Sequence, residues 1–495
     1  MKLLIDTNIV IGLEDAGIVE QKFADLVRMA SENGLELFVH EASLRDVERD
    51  KDRNRRAVTK SRFAKFQTIK SRARIDTTAL SARFGQIRKD NDFVDVLLLE
   101  ALDRNAVDVL VTEDLGIQRR AKVAGLSDRV FSTLEALGWI TSLFRVDAVE
   151  LPSVQELPAY QIDFSDAVFD GLRSDYGGQG FDDWTVKCQR EHRPCWVVFE
   201  DDAIAGIIIR KDESRVEAGT KLAGESVLKL CTFKVATESR GRKLGEQLLK
   251  QALWHAQRNG YDLVYLTVYP KQERLIWLLE EFGFQKTDER GNGELTYEKV
   301  LGHGRLDLLK GESALEAAHR AYPRFHDGSG VSKFAIPIRP VYHRILFPER
   351  SSSDEVDPGR PGNTIKKVYL THTRSRQMRS GDLIFFYMSQ GQHADSQSIT
   401  SVGVIADINR PKDYNDLVRV TARRSAYTDF QLKEFSAGGP VTAIDFLLVG
   451  HLGQRVHLHD LLAGGILNGC PQSVTKIPEE RYRLLKAELN LGFSV

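Results

Sequence analysis

Two polar stretches containing Pro or Gly divide this chain into three blocks, and they constrain its fold more than any other feature. The first is "AVELPSVQELP" at residues 148–158. The second is "YPRFHDGSGVS" at residues 322–332, where Gly328, Ser329 and Gly330 predict a flexible join. Because a single hydrophobic core stops growing beyond about 250 residues, a chain of 495 residues is expected to form about three domains.

Composition excludes several classes of protein. A hydrophobic content of 42% and a charged content of 28% are typical of a globular protein in water. The net charge of −1 gives no global attraction to nucleic acid or membrane, so any such attraction must be local. Four cysteines without zinc-type spacing predict a reducing cytoplasm. No apolar run reaches the roughly 20 residues of a membrane span, and Asp6 interrupts the first one, which argues against a signal peptide.

The first block places acids at the ends of apolar strands. Asp6 follows "KLLI", and Asp114 follows "VLVTE", while short strands alternate with helical segments as in a parallel sheet flanked by helices. Ligands of such sheets collect beyond the carboxyl ends of the strands. Asp46 and Asp95 fall on predicted helices. Four carboxylates brought together would repel one another unless a divalent cation joined them, and oxygen ligands suit Mg²⁺ or Mn²⁺.

Residues 1–147 resemble a PIN domain, a metal-dependent ribonuclease fold. The four acids of that family match Asp6, Asp46, Asp95 and Asp114, with Thr112 as the usual hydroxyl neighbour. Glu48 and Asp92 are alternatives for the second and third acids. The resemblance implies attack of metal-activated water on an RNA phosphodiester. The alternative is that Asp6 and Asp114 are loop or helix-capping residues.

A strongly basic stretch follows the second acid. Residues 49–74 carry eleven Lys and Arg against two Asp, a net charge of +9. Phe63, Phe66 and Ile69 recur at helical spacing, so one side can pack while the rest faces solvent. The stretch suits contact with an RNA backbone. The alternative is a solvated helix paired with acidic neighbours.

The second block contains a turn suited to phosphate. A strand ends near Val235, "ESRGRKLG" follows, and an amphipathic helix begins. Backbone amides at a helix start bind anions, especially where Gly permits close approach. The turn resembles the pyrophosphate loop of GNAT acetyltransferases. That resemblance implies acetyl-CoA as cofactor, bound by the strand end and the turn: Val235, Arg240, Gly241, Arg242, Lys243, Leu244 and Gly245. Lys243 replaces the middle Gly of the family pattern.

The rest of the second block continues the GNAT resemblance. "CWVVFEDDAIAGIIIR" fits a hairpin, "YDLVYLTVYP" a strand, and "ERLIWLLEEFGF" the closing helix. Where many GNAT enzymes carry a Tyr general acid, this chain has Leu279, so the acid is Tyr269 or a water. Glu225 is the candidate general base. A GNAT fold that binds CoA without turnover is the alternative.

The third block is strand-rich and ends in a helix. "MRSGDLIFFYMSQ" followed by "SVGVIADI" resembles PUA-like domains of the ASCH and EVE type, small β-barrels that bind RNA or modified bases. Charge and stacking surfaces could come from Arg339, Tyr342, His343, Lys366 and Tyr369, while Phe385 and Phe386 are expected in the core. His457, His459 and Asp460 are a minor metal candidate, with surface histidines as the alternative.

These blocks predict an α/β chain with a PIN-like parallel sheet at 1–147, a GNAT mixed sheet at 148–300, a linker at 301–330 and a PUA-like β-barrel at 331–495. The predicted function is an RNA-directed enzyme that combines PIN cleavage with acetyl transfer. Its substrate would be tRNA or aminoacyl-tRNA in a toxin or defence context, with RNA bound through residues 49–74 and the C-terminal domain. The alternative is a protein N-acetyltransferase with non-catalytic flanking modules. No membrane contact is expected, and homo-oligomerisation stays open.

Overall fold

A computed structural model describes most of the chain. The described residues are 1–6, 9, 18–49, 56–57, 59–60, 63–72, 75–144, 154–200, 202–237, 239, 243–350, 364–392, 395–424 and 426–493. They divide into two compact units, one formed by Met1–Val146 with Pro411–Ala437 and the other by Asp147–Arg410 with Gly438–Val495. Within the described residues, no helix has the length and apolar character needed to cross a membrane.

The first unit is built on an all-parallel sheet flanked by helices, as the alternating pattern predicts. Its strands lie in the order β3-β2-β1-β4-β5. The elements in chain order are β1 (Lys2–Ile5), α1 (Ile18–Glu32), β2 (Glu36–His40), α2 (Glu41–Arg49), β3 (Gln67–Ile69), α3 (Thr77–Phe84), α4 (Asp90–Asp103), β4 (Val109–Val111), α5 (Leu115–Val123), β5 (Val130–Phe131) and α6 (Thr133–Phe144). Leu3, Leu4 and Ile5 are fully buried because helices cover both faces of the sheet.

The second unit begins with a seven-stranded mixed sheet in the order β11-β12-β10-β9-β8-β7-β6. Its elements are β6 (Gln155–Pro158), α7 (Asp170–Tyr176), α8 (Gly178–Arg190), β7 (Pro194–Glu200), β8 (Ala203–Ser214), α9 (Arg215–Ala218), β9 (Ser226–Val235), α10 (Leu244–Arg258), β10 (Leu263–Val268), α11 (Glu273–Glu281), β11 (Gln285–Glu289) and β12 (Leu295–Val300). Only β9 and β10 pair in parallel, while the other neighbours are antiparallel.

A six-stranded mixed sheet completes the second unit, in the order β14-β17-β16-β15-β13-β18. The remaining elements are α12 (Ala314–Ala321), β13 (Lys333–Ile338), α13 (Pro340–Leu346), β14 (Lys366–Thr371), β15 (Leu383–Met388), β16 (Ser398–Asn409), α14 (Tyr414–Thr421), α15 (Asp429–Ala437), β17 (Thr442–His457), α16 (Leu458–Ala463), β18 (Thr475–Ile477) and α17 (Glu479–Glu488). Helices α14 and α15 belong to the first unit. Closure of this sheet into a barrel stays a prediction.

One hydrophobic core runs through both sheets of the second unit. It includes Leu248 and Leu253 of α10 together with Phe386 and Leu448 of the C-terminal sheet. The predicted linker at 301–330 contributes α12 and the fully buried Tyr322 to the same core. A buried aromatic side chain is held by its neighbours, so the segment around Tyr322 is packed, whereas Ser329 and Gly330 are exposed and the flexible join there stays a prediction. The predicted domain boundaries themselves stay a prediction.

Candidate functional site

Strand β9 ends at Val235 and the long helix α10 begins at Leu244, as the sequence predicts. Lys243 caps the helix in the left-handed conformation, with φ of +60°. Glycine adopts this conformation at no steric cost, which accounts for the preference for Gly at this position of the family pattern. The first backbone amides of a 15-residue helix are natural anion donors. Arg240, Gly241 and Arg242 lie outside the described residues.

The two parallel strands beside this turn separate towards their carboxyl ends. Only Val227–Lys229 of β9 pair with Leu263–Tyr265 of β10. Beyond that point β9 continues to Val235 against β8, while β10 continues to Val268 against β12. The β8–β9 register also shifts at Cys231, and a β-bulge of this kind bends the strand. The sheet therefore opens at the end of β9 from which the turn emerges.

Gly245 in the first turn of α10 packs closely beside the strand end. A Cβ atom at this position would lie 3.7 Å from Leu278 Cδ2 and 3.9 Å from Val235 Cγ2. Those are ordinary van der Waals distances, so Ala fits here, whereas a longer side chain would have to extend past the helix start. A ligand with a pyrophosphate group attached to a long, extended chain fits this arrangement. The arrangement consists of the open strand pair, the helix start and the small residue at Gly245.

The two candidate general acid–base residues lie at opposite ends of the sheet. Glu225 precedes β9, and its side chain is 81% exposed and paired with Arg215 at 3.3 Å. A strand of ten residues spans about 33 Å, so Glu225 is remote from the turn that follows Val235. Tyr269 follows the carboxyl end of β10, and partial burial near Glu294 raises the pKa of its hydroxyl. Leu279 is fully buried in the core. The structure therefore brings Tyr269, but not Glu225, to the open end.

Two residues that the sequence analysis did not single out lie beside Tyr269. The hydroxyl of Tyr176, at the end of α7, donates to the carboxylate of Glu294, just before β12. The rings of Tyr176 and Tyr269 have centroids 5.9 Å apart. Residues 118 positions apart in sequence meet here, and no local pattern signals such a contact.

In the first unit, three of the four predicted metal ligands lie near one another. Burial, followed by repulsion from Asp114 and Asp6, raises the pKa of Asp95 to about 7. Thr112 Oγ1 donates to Asp6 Oδ2 at 2.7 Å and accepts from the Asp114 amide at 3.0 Å. Asp114 Oδ1 also caps α5 by accepting from the Gly116 amide at 2.5 Å. The capping interpretation therefore holds for Asp114 whether or not it also binds metal.

The fourth predicted ligand, Asp46, lies on α2, but its side chain is outside the described residues. Both alternatives are engaged elsewhere: Glu48 pairs with Lys60 at 3.0 Å, and Asp92 accepts from the Arg88 amide at 2.7 Å. Among the side chains that the structure describes, no group of three His, Cys, Asp or Glu residues is arranged to hold a metal ion. The quartet of acids stays a prediction.

The basic stretch at 49–74 is described only in part. Gln67–Ile69 form strand β3 instead of continuing a helix, so the helical spacing of Phe66 and Ile69 predicts the wrong element. Parallel pairing with β2 decides the conformation there. Lys60 pairs with Glu48, and Arg72 pairs with Glu100 at 2.7 Å. These pairs agree with the alternative of basic residues matched to acidic neighbours, and RNA binding here stays a prediction.

The candidate RNA contacts of the C-terminal block differ in accessibility. His343 is buried and bonded to Thr400 Oγ1 at 2.8 Å, and the Tyr369 hydroxyl donates to Pro337 O at 2.8 Å. Lys366 pairs with Glu281, while Arg339 lies over the ring of Tyr342. Phe385 and Phe386 are fully buried, which confirms the core prediction. The remaining histidine candidates are exposed: His457 caps α16, and His459 lies 3.4 Å from Asp460.

Comparison with known proteins supports one of the three predicted modules. Residues 159–284 match the model of the Acetyltransferase (GNAT) family, and they form a GNAT acetyltransferase domain. No curated protein matches the sequence. The PIN resemblance has no counterpart in these comparisons and stays a prediction.

Several solved structures align with parts of the chain. ASCH from Zymomonas mobilis is 16% identical, with 32% of this chain and 96% of that chain covered and a TM-score of 0.25. An IAA acetyltransferase from Bacillus cereus is 14% identical, with 30% and 99% covered and a TM-score of 0.23. A PaiA N-acetyltransferase from Thermoplasma acidophilum, in complex with coenzyme A, is 16% identical, with 30% and 99% covered and a TM-score of 0.22. TM-scores this low support no inference about activity or partners.

Proposed function

We propose that this chain is an acetyl-CoA-dependent N-acetyltransferase whose N-terminal and C-terminal blocks are binding modules. The observation that carries the proposal is the opening between β9 and β10, directly before the turn and helix α10. All of these elements lie within residues 159–284, the range of the GNAT match. This favours the alternative of a protein N-acetyltransferase over an RNA-directed enzyme.

The residues around the opening have separable tasks in the proposed reaction. Backbone amides from Lys243 to Gly245 bind the pyrophosphate, helped by the charges of Arg240 and Arg242. Val235 and the separated strands bind the extended arm of acetyl-CoA through backbone groups that are not paired across the β9–β10 opening. Acetyl-CoA supplies an activated acetyl group when bound. Tyr269, at the open end of β10, is a proton donor of this chain in reach of that region.

Calorimetric titration of the full-length protein with acetyl-CoA tests the proposal. Gly245→Glu places a carboxylate beside the phosphates, and we expect it to weaken binding by about 100-fold or more. Gly245→Ala is the matched control, because its Cβ fits at 3.7 Å from Leu278 and it should bind within about twofold of wild type. Equal affinities for folded Gly245→Glu and wild type would contradict the proposal.

A metal-dependent nuclease is the second candidate function, for the first unit. The observation that favours it is the repulsion of Asp95 by Asp6 and Asp114. Carboxylate oxygens fit Mg²⁺ or Mn²⁺ chemically, although the described side chains do not complete a site. Cleavage of total tRNA by the purified protein with Mn²⁺, compared with Asp6→Asn, tests this candidate. Equal cleavage by the two proteins, or none by either, would remove it.

A further inference from the structure

A buried carboxylate that is hydrogen-bonded to exposed residues lies at the carboxyl end of β10. Glu294 is 4% exposed and accepts three hydrogen bonds. The donors are the Tyr176 hydroxyl, Thr267 Oγ1 at 3.3 Å and Asn292 Nδ2 at 3.0 Å. Tyr176 itself is 45% exposed. Asn292 is exposed as well, but of these two exposed donors only the Tyr176 hydroxyl can pass on a proton, because a phenol both donates and accepts.

Glu294 fixes which way the Tyr176 hydroxyl points. A phenol has one hydrogen to donate and lone pairs to accept. Because the hydrogen of Tyr176 is directed to Glu294, its oxygen is left as an acceptor towards an approaching N–H group. Lys271 lies over the ring of Tyr269, with its Nζ 5.5 Å from the ring centroid, so the ring of Tyr176 and the charge of Glu294 are what attract a further cation here. Lys271 partly balances Asp175 through an ion pair of 2.6 Å.

This pair lies at the carboxyl end of β10, beside the opening proposed to accept the extended arm of acetyl-CoA. Thr267 and Tyr269 mark the carboxyl end of β10, where that strand has separated from β9. The turn predicted to hold pyrophosphate leaves the carboxyl end of β9. Tyr176 and Thr267 donate to the same carboxylate, which places the Tyr176 hydroxyl at this end of β10.

We propose that Tyr176 is a catalytic residue that accepts the proton of the acetyl acceptor, that Glu294 is its positioning residue, and that the acceptor is a cationic primary amine. The inference rests on the proposed acetyltransferase function. It assigns to Tyr176 and Glu294 the base role that the sequence analysis gave to Glu225.

The proposed steps balance as follows. The ammonium group gives one proton to the Tyr176 oxygen as the hydroxyl proton of Tyr176 passes to Glu294. The neutral amine nitrogen then forms a C–N bond to the acetyl carbonyl carbon, and the C–S bond of the thioester breaks. A second proton leaves the nitrogen and ends on the departing sulfur, so that CoA is released as its thiol. Glu294 returns its proton to water, which leaves the amide and the starting form of the enzyme.

Steady-state kinetics of the full-length protein test this assignment, with butylamine and glycinamide as the amine probes and thiol release as the signal. We expect wild type to acetylate at least one probe. Tyr176→Phe should lower kcat/KM by about 100-fold, with the Kd for acetyl-CoA unchanged within twofold. Tyr160→Phe is the matched control, because Tyr160 is 52% exposed and contacts His192 away from this cluster. It should retain wild-type rates.

Glu294→Gln gives a second readout that a structural role would not move. We expect kcat to fall while KM for the amine changes little, and the acidic limb of the pH–rate profile to shift towards the pKa of the free amine, because no carboxylate receives the proton. If wild type binds acetyl-CoA but acetylates neither amine, or if Tyr176→Phe retains wild-type kcat/KM, this inference is wrong. Failure to bind acetyl-CoA at all would instead remove the proposed function.

Discussion

At the scale of single residues, two aspartates on one helix of the first unit have pKa values shifted in opposite directions. Asp95 and Asp92 are three positions apart on α4. Burial and the charges of Asp114 and Asp6 raise the pKa of Asp95 to about 7. Hydrogen bonding from the Arg88 amide lowers the pKa of Asp92 below its ordinary value. The folded state therefore disfavours the ionised form of Asp95 and favours that of Asp92.

The opposite pKa shifts of Asp95 and Asp92 predict opposite effects of two matched Asp→Asn substitutions on stability. A raised folded-state pKa means that Asp95 contributes stability below its ordinary pKa, and that this contribution is lost as the pH rises through about 7. Asp95→Asn should therefore gain stability relative to wild type on going from pH 5 to pH 8, by about 1–2 kcal/mol after solvent screening. Asp92→Asn should lose stability at both pH values, because it removes a helix-capping carboxylate.

Urea unfolding in chelator at pH 5 and pH 8 measures both effects. If the carboxylates bind a divalent cation, Mn²⁺ should raise the stability of wild type at pH 8, and Asp95→Asn should lose that gain. If Asp95→Asn is destabilised equally at both pH values and Mn²⁺ has no effect on wild type, the acids of this unit have a structural role only.

At the scale of secondary-structure elements, the sequence predicts what local pattern controls. Up to Phe144, the short apolar runs that form β1, β2 and β4 correctly predict a parallel sheet flanked by helices. The end of β9 and the start of α10 are likewise found where predicted, and the phosphate turn between them stays a prediction. Helical spacing fails at Gln67–Ile69, where pairing with β2 decides the conformation. Burial of Tyr322 within the predicted linker is a long-range contact that local composition does not signal.

In the candidate site, too, the sequence predicts the residues that a local pattern marks and misses those that tertiary packing brings together. Lys243 and Gly245 are recognisable because the turn proposed to bind phosphate is local in sequence. Tyr176 and Glu294 are not, because their contact depends on how α7 packs beside the β11–β12 hairpin. Glu225 is close in sequence to the central strand, which makes it a candidate base. In the structure, the ten extended residues of β9 separate it from the turn. Acid–base residues depend on tertiary geometry, so sequence alone identifies them least well.

At the scale of the whole molecule, the first unit is assembled from two separate stretches of chain. Residues 411–437, which lie between β16 and β17 in sequence, group with residues 1–146. Three arginines in or just after α14 form ion pairs with acidic residues of the N-terminal stretch. Arg419 binds Asp108 at 2.9 Å, and Asp108 also accepts from the Lys2 amide of β1 at 2.9 Å. Arg424 pairs with Asp128 at 2.6 Å.

Arg423 contacts three residues of the N-terminal stretch, and its removal is the test of this assembly. Its Nη1 donates to the carbonyls of Ser127 and Val130, at 2.6 and 3.0 Å, and its Nη2 pairs with Glu135 at 2.6 Å. Arg423→Met keeps the aliphatic stem but leaves those carbonyls without this donor, so we expect the first unit to lose about 1–3 kcal/mol of stability. Hydrogen exchange followed by mass spectrometry should show faster exchange in β1, β4 and β5, with α10 unchanged.

Arg376→Met is the control, because Arg376 is an exposed arginine on the loop after β14. If Arg423→Met leaves exchange in β1 to β5 at the wild-type rate, residues 411–437 do not support the parallel sheet, and the N-terminal block is a complete unit by itself.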